Sequence, residues 1–129
     1  MDTKYRKILF IDDEYTSIID LIEYIEYKFS NIKCSTAQSL NTAREKIDAE
    51  KFDLIICDNM FVDDSENAGI NFYEELIKKN IYIPFVLYTC SRIQMNKYPE
   101  FEKNKNFYYY TKWELNLDNW IELINRIFE

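Results

Sequence analysis

The sequence predicts one α/β domain of the doubly wound type, and three observations predict it. Short, wholly apolar runs recur along the 129 residues, as expected of strands buried on both faces. Amphipathic stretches of helical period separate these runs, which implies βαβ units, a parallel sheet and right-handed crossovers. The length suits one domain spanning residues 1–129, with no linker, repeat or low-complexity tract, and no further domain is expected.

Each element follows from its residues. Ile8-Leu9-Phe10-Ile11 is a first strand that stops at Asp12-Asp13-Glu14. Thr16 or Ser17 is placed to cap a helix on which Ile18, Ile22, Ile25 and Phe29 recur at helical spacing. Ile32 to Ser35 reads as a weak second strand, and Ser39 caps a second helix with Leu40, Ala43 and Ile47 facing inward. Leu54-Ile55-Ile56-Cys57 is a third strand ending at Asp58, and an acidic loop from Asn59 to Ala68 follows. Gly69 leads into a third helix carrying Ile70, Tyr73, Leu76 and Ile77 on one face. A fourth strand, Pro84 to Tyr88, opens with a proline whose missing N–H is tolerated there, and it ends at Thr89. Ser91 to Lys105 is weakly patterned and contains Pro99, so a short, irregular helix is expected. Phe107 to Tyr110 is a fifth, aromatic strand ending at Thr111-Lys112, and a last helix places Leu117, Trp120, Ile121, Ile124 and Phe128 along one stripe.

Composition removes several classes of function. The chain has no histidine, so Ser–His and Cys–His catalysis and His-ligated zinc are excluded. Its single glycine, Gly69, excludes a Gly-rich phosphate loop. A formal net charge of −7 without any basic block argues against direct nucleic-acid binding. No apolar run is long enough to span a membrane and no signal peptide is evident, so a cytoplasmic location is expected. Cys34, Cys57 and Cys90 form no C-x-x-C pair and read as reduced, mostly buried thiols.

Four of the five strands end in a reactive residue type. Ligands of such sheets bind beyond the carboxyl ends of the strands, so Asp12, Asp13, Asp58, Thr89 and Lys112 are expected to meet in one pocket. Each has a plainer reading alone. The acidic run suits a helix N-terminus, Asp58 a turn, Thr89 a cap, and Lys112 a solvated surface. The joint pattern is the specific signal.

With these residues in view, the chain resembles the receiver domains of bacterial two-component response regulators. The resemblance spans essentially the whole chain and rests on Ile8-Leu9-Phe10-Ile11-Asp12-Asp13-Glu14, Phe52 to Asp58, Val86-Leu87-Tyr88-Thr89 and Tyr108 to Lys112. It implies a flavodoxin-like five-stranded parallel sheet in the order 2-1-3-4-5, as in the chemotaxis regulator, with about five helices. It implies that Asp58 accepts a phosphoryl group from a phosphohistidine and forms an aspartyl phosphate. Mg²⁺ would be bound by Asp13, Asp58 and the Met60 backbone carbonyl, with Asp12 acting through water. Without the cation, the crowded carboxylates should raise at least one pKa. Lys112 would contact a phosphoryl oxygen, Thr89 would swing to bond another, and Tyr109 would follow Thr89 inward as the switch. The implied partners are a histidine kinase or histidine phosphotransfer protein, and a downstream protein target on the face made by the fourth helix, fifth strand and fifth helix. A monomer or weak dimer is expected.

The sequence departs from the family in four places. Trp113 stands where the family has a proline after a cis bond, and a trans Lys112–Trp113 peptide is expected, since cis before a non-proline costs about 2.5–4 kcal/mol. Val62 replaces another proline in a loop longer than usual, which is expected to be mobile. Cys90 fills a position that is usually very small and should narrow access to Asp58. Met60 and Ser91 occupy the positions that tune phosphoryl lifetime, and an apolar Met60 orients no water, so slow self-dephosphorylation is expected. Tyr98, Tyr108, Tyr110 and Trp113 cluster near a sheet edge and are expected to form an exposed aromatic interface.

Three functions from different classes fit to different degrees. The leading one is a phosphorylatable switch that is not an enzyme beyond its own phosphorylation and dephosphorylation. The alternative is a pseudo-receiver acting as a phosphorylation-independent interaction module, which Trp113, Cys90 and the altered loop favour and the complete residue set opposes. A Mg²⁺-dependent phosphohydrolase fits worst, because Asp58 is followed two places on by Met60 and not by a second carboxylate.

Overall fold

A computed structural model describes residues 5–62, 64 and 66–129, apart from the side chain of Glu102. Five parallel strands, β1 (Arg6–Ile11), β2 (Ile32–Ala37), β3 (Leu54–Cys57), β4 (Phe85–Thr89) and β5 (Phe107–Thr111), form one sheet. Their order is β2-β1-β3-β4-β5, the order expected. The helices are α1 (Ile19–Lys28), α2 (Leu40–Ala49), α3 (Ala68–Lys78), α4 (Pro99–Glu102) and α5 (Leu117–Phe128).

The continuous apolar runs of β1, β3 and β4 are explained by burial on both faces. Leu9, Ile11, Ile55, Cys57, Phe85 and Leu87 face α2, α3 and α4. Ile8, Phe10, Leu54, Ile56, Val86 and Tyr88 alternate with them and face α1 and α5. Much of the aromatic content lies in the first layer, where Tyr73, Phe85, Phe101 and Phe107 pack with ring centroids 4.7–6.1 Å apart. The open edge of β2 is blocked by neighbouring helices. Glu26 of α1 accepts from the Cys34 amide at 2.9 Å, and Lys46 of α2 donates to the Thr36 carbonyl at 2.6 Å.

Several local expectations are corrected. Neither Thr16 nor Ser17 caps α1. Tyr15–Ser17 forms a 3₁₀ turn, and the Ser17 hydroxyl donates back to the Glu14 carbonyl at 2.8 Å. Ser39 does cap α2, accepting from the Thr42 amide. On α5 the buried residues are Trp120, Leu123 and Ile124, while Leu117 is 42% exposed; it lies on the same side of the helix as Ile124 but stands at the first position of α5, next to the Asn116–Asn119 capping box, at the helix end. Gly69 lies inside the first turn of α3, so it does more than lead into the helix. Cys90 is exposed, whereas burial pushes the Cys34 thiol up to about 12 and the Cys57 thiol well above its usual range. Tyr98, Tyr108 and Tyr110 are half-buried against the two core layers, leaving Trp113 as the exposed member of the expected aromatic patch. The Lys112–Trp113 peptide is trans, as are all others among the described residues. Asp63 and Ser65, within the loop expected to be mobile, lie outside the described residues.

One surface pair ties α2 to α3 and yields a pH prediction. Arg44 donates to both carboxylate oxygens of Glu75, at 2.7 and 2.9 Å. These bonds hold the Glu75 carboxyl below its usual range, with Lys79 adding to the effect. A depressed folded pKa stabilises above the unfolded value of 4.5, and that contribution is lost as pH falls through the folded value. Glu75→Gln is therefore expected to cost about 0.5–1 kcal/mol at pH 7 and close to nothing in acid. Urea denaturation at both pH values measures it, and a cost that persists in acid contradicts the assignment.

Candidate functional site

The register of the sheet brings the strand ends together. Ile11 is level with Cys57, Cys57 with Leu87, and Thr89 with Thr111. The chain leaves each strand under backbone control: the Asp12 amide bonds Ala37, the Asp58 amide bonds Ile11, and the Lys112 amide bonds Thr89, all at 2.9–3.0 Å. One oxygen from each of Asp12, Asp13 and Asp58 lies within 4.8 Å of the others. All the expected site residues except Tyr109 are thereby gathered at one sheet edge. Asp13, Asp58, Met60, Thr89, Cys90 and Lys112 border an open cavity of about 330 Å³.

Each side chain is held in place. Asp58 Oδ1 accepts from the amides of Asn59 and Met60, at 2.6 and 3.3 Å, and Oδ2 faces Lys112 Nζ at 3.4 Å. Lys112 Nζ sits closer to Asp12 Oδ2, at 2.7 Å, and also donates to Ser17 Oγ at 3.1 Å. Asp12 Oδ1 accepts from the Glu14 amide, and Asp13 Oδ2 accepts from the Val62 amide at 2.9 Å, linking two loops across the site. Buried Thr89 accepts from the Ser91 amide through Oγ1, and no hydrogen bond among the described residues uses its own proton. Tyr109 lies behind this layer, half-buried. Its hydroxyl donates to the Ser91 carbonyl and accepts from the Ile93 amide, both at 2.9 Å.

The electrostatics follow from this packing. Burial pushes the Asp12 carboxyl up, against the pull of its bonds from Lys112 and the Glu14 amide. A raised carboxyl was expected, but from repulsion between carboxylates; the charge of Asp58 is the smallest contribution and desolvation the largest. Burial alone would lower Lys112. The hydrogen bond to Asp12 and the charges of Asp58 and Asp12 outweigh it, so the ammonium is held above its usual range. Lys112 pairs with Asp12 and Asp58, and one ammonium among three clustered carboxylates leaves two negative charges uncompensated. A set of hard oxygen donors with that charge suits a small divalent cation.

Solved structures share this architecture. At 20% identity, a CheY-like response regulator receiver domain protein from Methanospirillum hungatei JF-1 superposes with a TM-score of 0.77, over 95% of this chain and 93% of the other. A two-component response regulator from Clostridium difficile gives 23% identity and 0.76, covering 95% of each chain. Chemotaxis protein CheY4 of Vibrio cholerae gives 18% and 0.74, over 95% and 98%. The chain has the receiver-domain fold. Identities this low establish the receiver fold and leave its chemistry to be argued from the site. No family model matches the sequence, and no curated protein matches it.

Two site residues were not singled out for the site from sequence. Ser17 has the type and place of a helix cap, yet it holds Lys112 across 95 positions of chain. Asn59 is almost fully buried. Its side chain accepts from the Ile70 amide and donates to Asn67, fastening the Asp58 segment to α3. Asn59 directly follows Asp58 and Ser17 comes four residues after Asp13, and neither carries any other local sequence signal.

Proposed function

We propose that the protein is a phosphorylatable switch of a phosphorelay, in which Asp58 accepts a phosphoryl group from a phosphohistidine on a partner protein. The observation that carries this reading is the convergence of Asp12, Asp13 and Asp58 within 4.8 Å, with Lys112 inserted among them. A carboxylate oxygen of Asp58 attacks phosphorus. The new O–P bond forms as the P–N bond breaks, and the electron pair leaves on the partner's imidazole nitrogen. Asp13, Asp58 and the Met60 carbonyl would hold Mg²⁺ directly and Asp12 through water. When bound, the ion neutralises charge on the phosphoryl oxygens. Lys112, already beside Oδ2, supplies a second positive charge.

The switch would run through Thr89 and Tyr109. The free hydroxyl proton of Thr89 is available to a phosphoryl oxygen. The Tyr109 hydroxyl ties the 91–93 segment to β5, so movement of Thr89 would be felt by the loop that Tyr109 grips. A protein donor, whether a histidine kinase or a histidine phosphotransfer protein, is supported by the site's rim. Tyr15, Met60, Val62 and Trp113 expose large apolar surface on loops at this same edge. A downstream target would read β5 and α5, because α4 spans only four residues. Among the described residues no helix is long and apolar enough to cross a membrane.

The deciding experiment is intact mass after incubation with Mg²⁺ and acetyl phosphate, with Asp58→Asn alongside. One added phosphoryl group is expected on the parent and none on the variant. Addition to neither protein, from acetyl phosphate or from a phosphohistidine donor, would favour the phosphorylation-independent interaction module.

A further inference from the structure

The loop that follows Thr89 and the turn that carries Lys112 are bridged outside the sheet by an exposed side-chain pair. The Arg92 guanidinium lies 5.4 Å from the centroid of the Trp113 ring. Arg92 is exposed and Trp113 is 56% exposed, so neither residue belongs to the core. Both stand on rigid supports. The Tyr109 hydroxyl bonds the residue on each side of Arg92, Ser91 and Ile93, and so fixes the backbone that presents the guanidinium. Trp113 is fixed by a tight turn. The Glu114 amide bonds the Thr111 carbonyl at 3.1 Å, and Glu114 Oε1 accepts from the Thr111 hydroxyl at 2.7 Å and the Thr111 amide at 3.2 Å. Beneath that turn the Tyr88 hydroxyl donates to the Lys112 carbonyl at 3.3 Å. The Arg92–Trp113 contact joins two hydrogen-bonded turns across the end of the β4–β5 ladder.

We infer that Arg92 and Trp113 form a clamp that positions Lys112 relative to Thr89, acting through their loops without touching a reacting atom. This inference rests on the proposed phosphoryl acceptance at Asp58. The last hydrogen bond of the β4–β5 ladder, from the Lys112 amide to the Thr89 carbonyl at 2.9 Å, lies immediately inside the clamp. It joins the two residues that must meet the phosphoryl group together. The end of a ladder frays first, and a cation over an indole face across that end holds it closed. Arg92 and Trp113 are therefore positioning residues.

The test uses the full chain and its variants Arg92→Ala, Trp113→Ala, the double variant and Trp113→Phe. One readout is hydrogen exchange of the Lys112 amide by NMR, with neither Mg²⁺ nor phosphodonor present. The other is the rate of phosphorylation by acetyl phosphate at saturating Mg²⁺. Each alanine variant is expected to speed Lys112 exchange and slow phosphorylation about two- to fivefold, the size an exposed cation–π contact supports. The double variant should be no worse than either single one, because one contact is lost in each case. Trp113→Phe, which keeps an aromatic face, should recover part of both effects. Parental exchange at Lys112 in both alanine variants overturns the clamp, as do effects that multiply in the double variant. A parent that accepts no phosphoryl group overturns the proposed function instead, and the exchange readout then decides the clamp by itself.

Discussion

Replacing Gly69 by alanine is expected to destabilise the fold by about 2–3 kcal/mol, although the same change inside most helices stabilises by about 0.5–1 kcal/mol. The reason is where α3 docks. A Cβ at position 69 would lie 2.2 Å from the Asp58 carbonyl oxygen and 2.8 Å from the Asn59 Cα, and both are backbone atoms that no rotamer change can move aside. The Gly69 amide also bonds the Asn59 carbonyl at 3.2 Å, and the Ile70 amide bonds Asn59 Oδ1 at 3.1 Å. The start of α3 is thus seated directly on the segment that presents Asp58. Asn67, just before the helix, takes a left-handed backbone with φ 60° to enter at this angle, and its side chain is held by Asn59. An alanine must push α3 away from that segment or push the segment toward the cavity. Either movement disturbs the Asn59 and Met60 amides that hold Asp58 Oδ1, so phosphoryl acceptance should fall together with stability. Denaturant titration and the acetyl phosphate assay measure the two effects. A variant as stable as the parent would show that α3 does not pack this closely.

That contact also marks what the sequence could and could not convey. The strands were legible because burial on both faces leaves a run such as Leu54-Ile55-Ile56-Cys57 wholly apolar, and its end is marked by the first charge, Asp58. Since parallel strands share a polarity, strand ends alone placed Asp12, Asp58, Thr89 and Lys112 on one edge, and they are found there. The role of Gly69 was not legible, because it depends on a backbone ten residues earlier approaching from outside the helix. Ser17 resembled an N-cap by type and place; the run of acidic residues before it instead winds into a 3₁₀ turn that points its hydroxyl at Lys112. Leu117 and Leu123 are equally apolar. Leu117 stands at the first position of α5, beside the Asn116 cap, whereas Leu123 lies in mid-helix with Trp120 and Ile124 in the buried layer, and apolarity alone does not tell the two apart. The tyrosines of β5 are not the exposed patch their edge position suggested, since α5 and the residues around α4 cover both faces of that strand.

Lys112→Met is the second large effect, and it separates the charge of the site from its shape. Methionine roughly keeps the length and apolar stem of the lysine and removes only the ammonium. Lys112 and Asp12 are both largely withdrawn from solvent, with 13% and 4% of their side chains exposed. Removing one partner of such a pair strands the other, and a loss of about 3 kcal/mol is expected at pH 7. The two pKa directions give the pH dependence. Lys112 is raised above 10.5, so its contribution is complete below that value and is lost only as pH climbs through the folded pKa. Asp12 is also raised, from 3.8, so folding favours its protonated form; that contribution is present below 3.8 and is lost as pH rises through the folded value. Without Lys112 one of the influences lowering Asp12 disappears, and its carboxyl should take up a proton at higher pH still. The deficit of Lys112→Met should therefore shrink steadily from neutral pH into acid. Adding Asp12→Asn, which removes the stranded charge, should restore much of the stability at pH 7. Phosphoryl acceptance should not return with it, because the double variant still has no ammonium beside Asp58 Oδ2, and a fall of about 10²–10³ is expected in both variants. Thermal unfolding across pH together with intact-mass kinetics reads both quantities. Recovery of phosphorylation in the double variant would show that Lys112 serves only to neutralise Asp12.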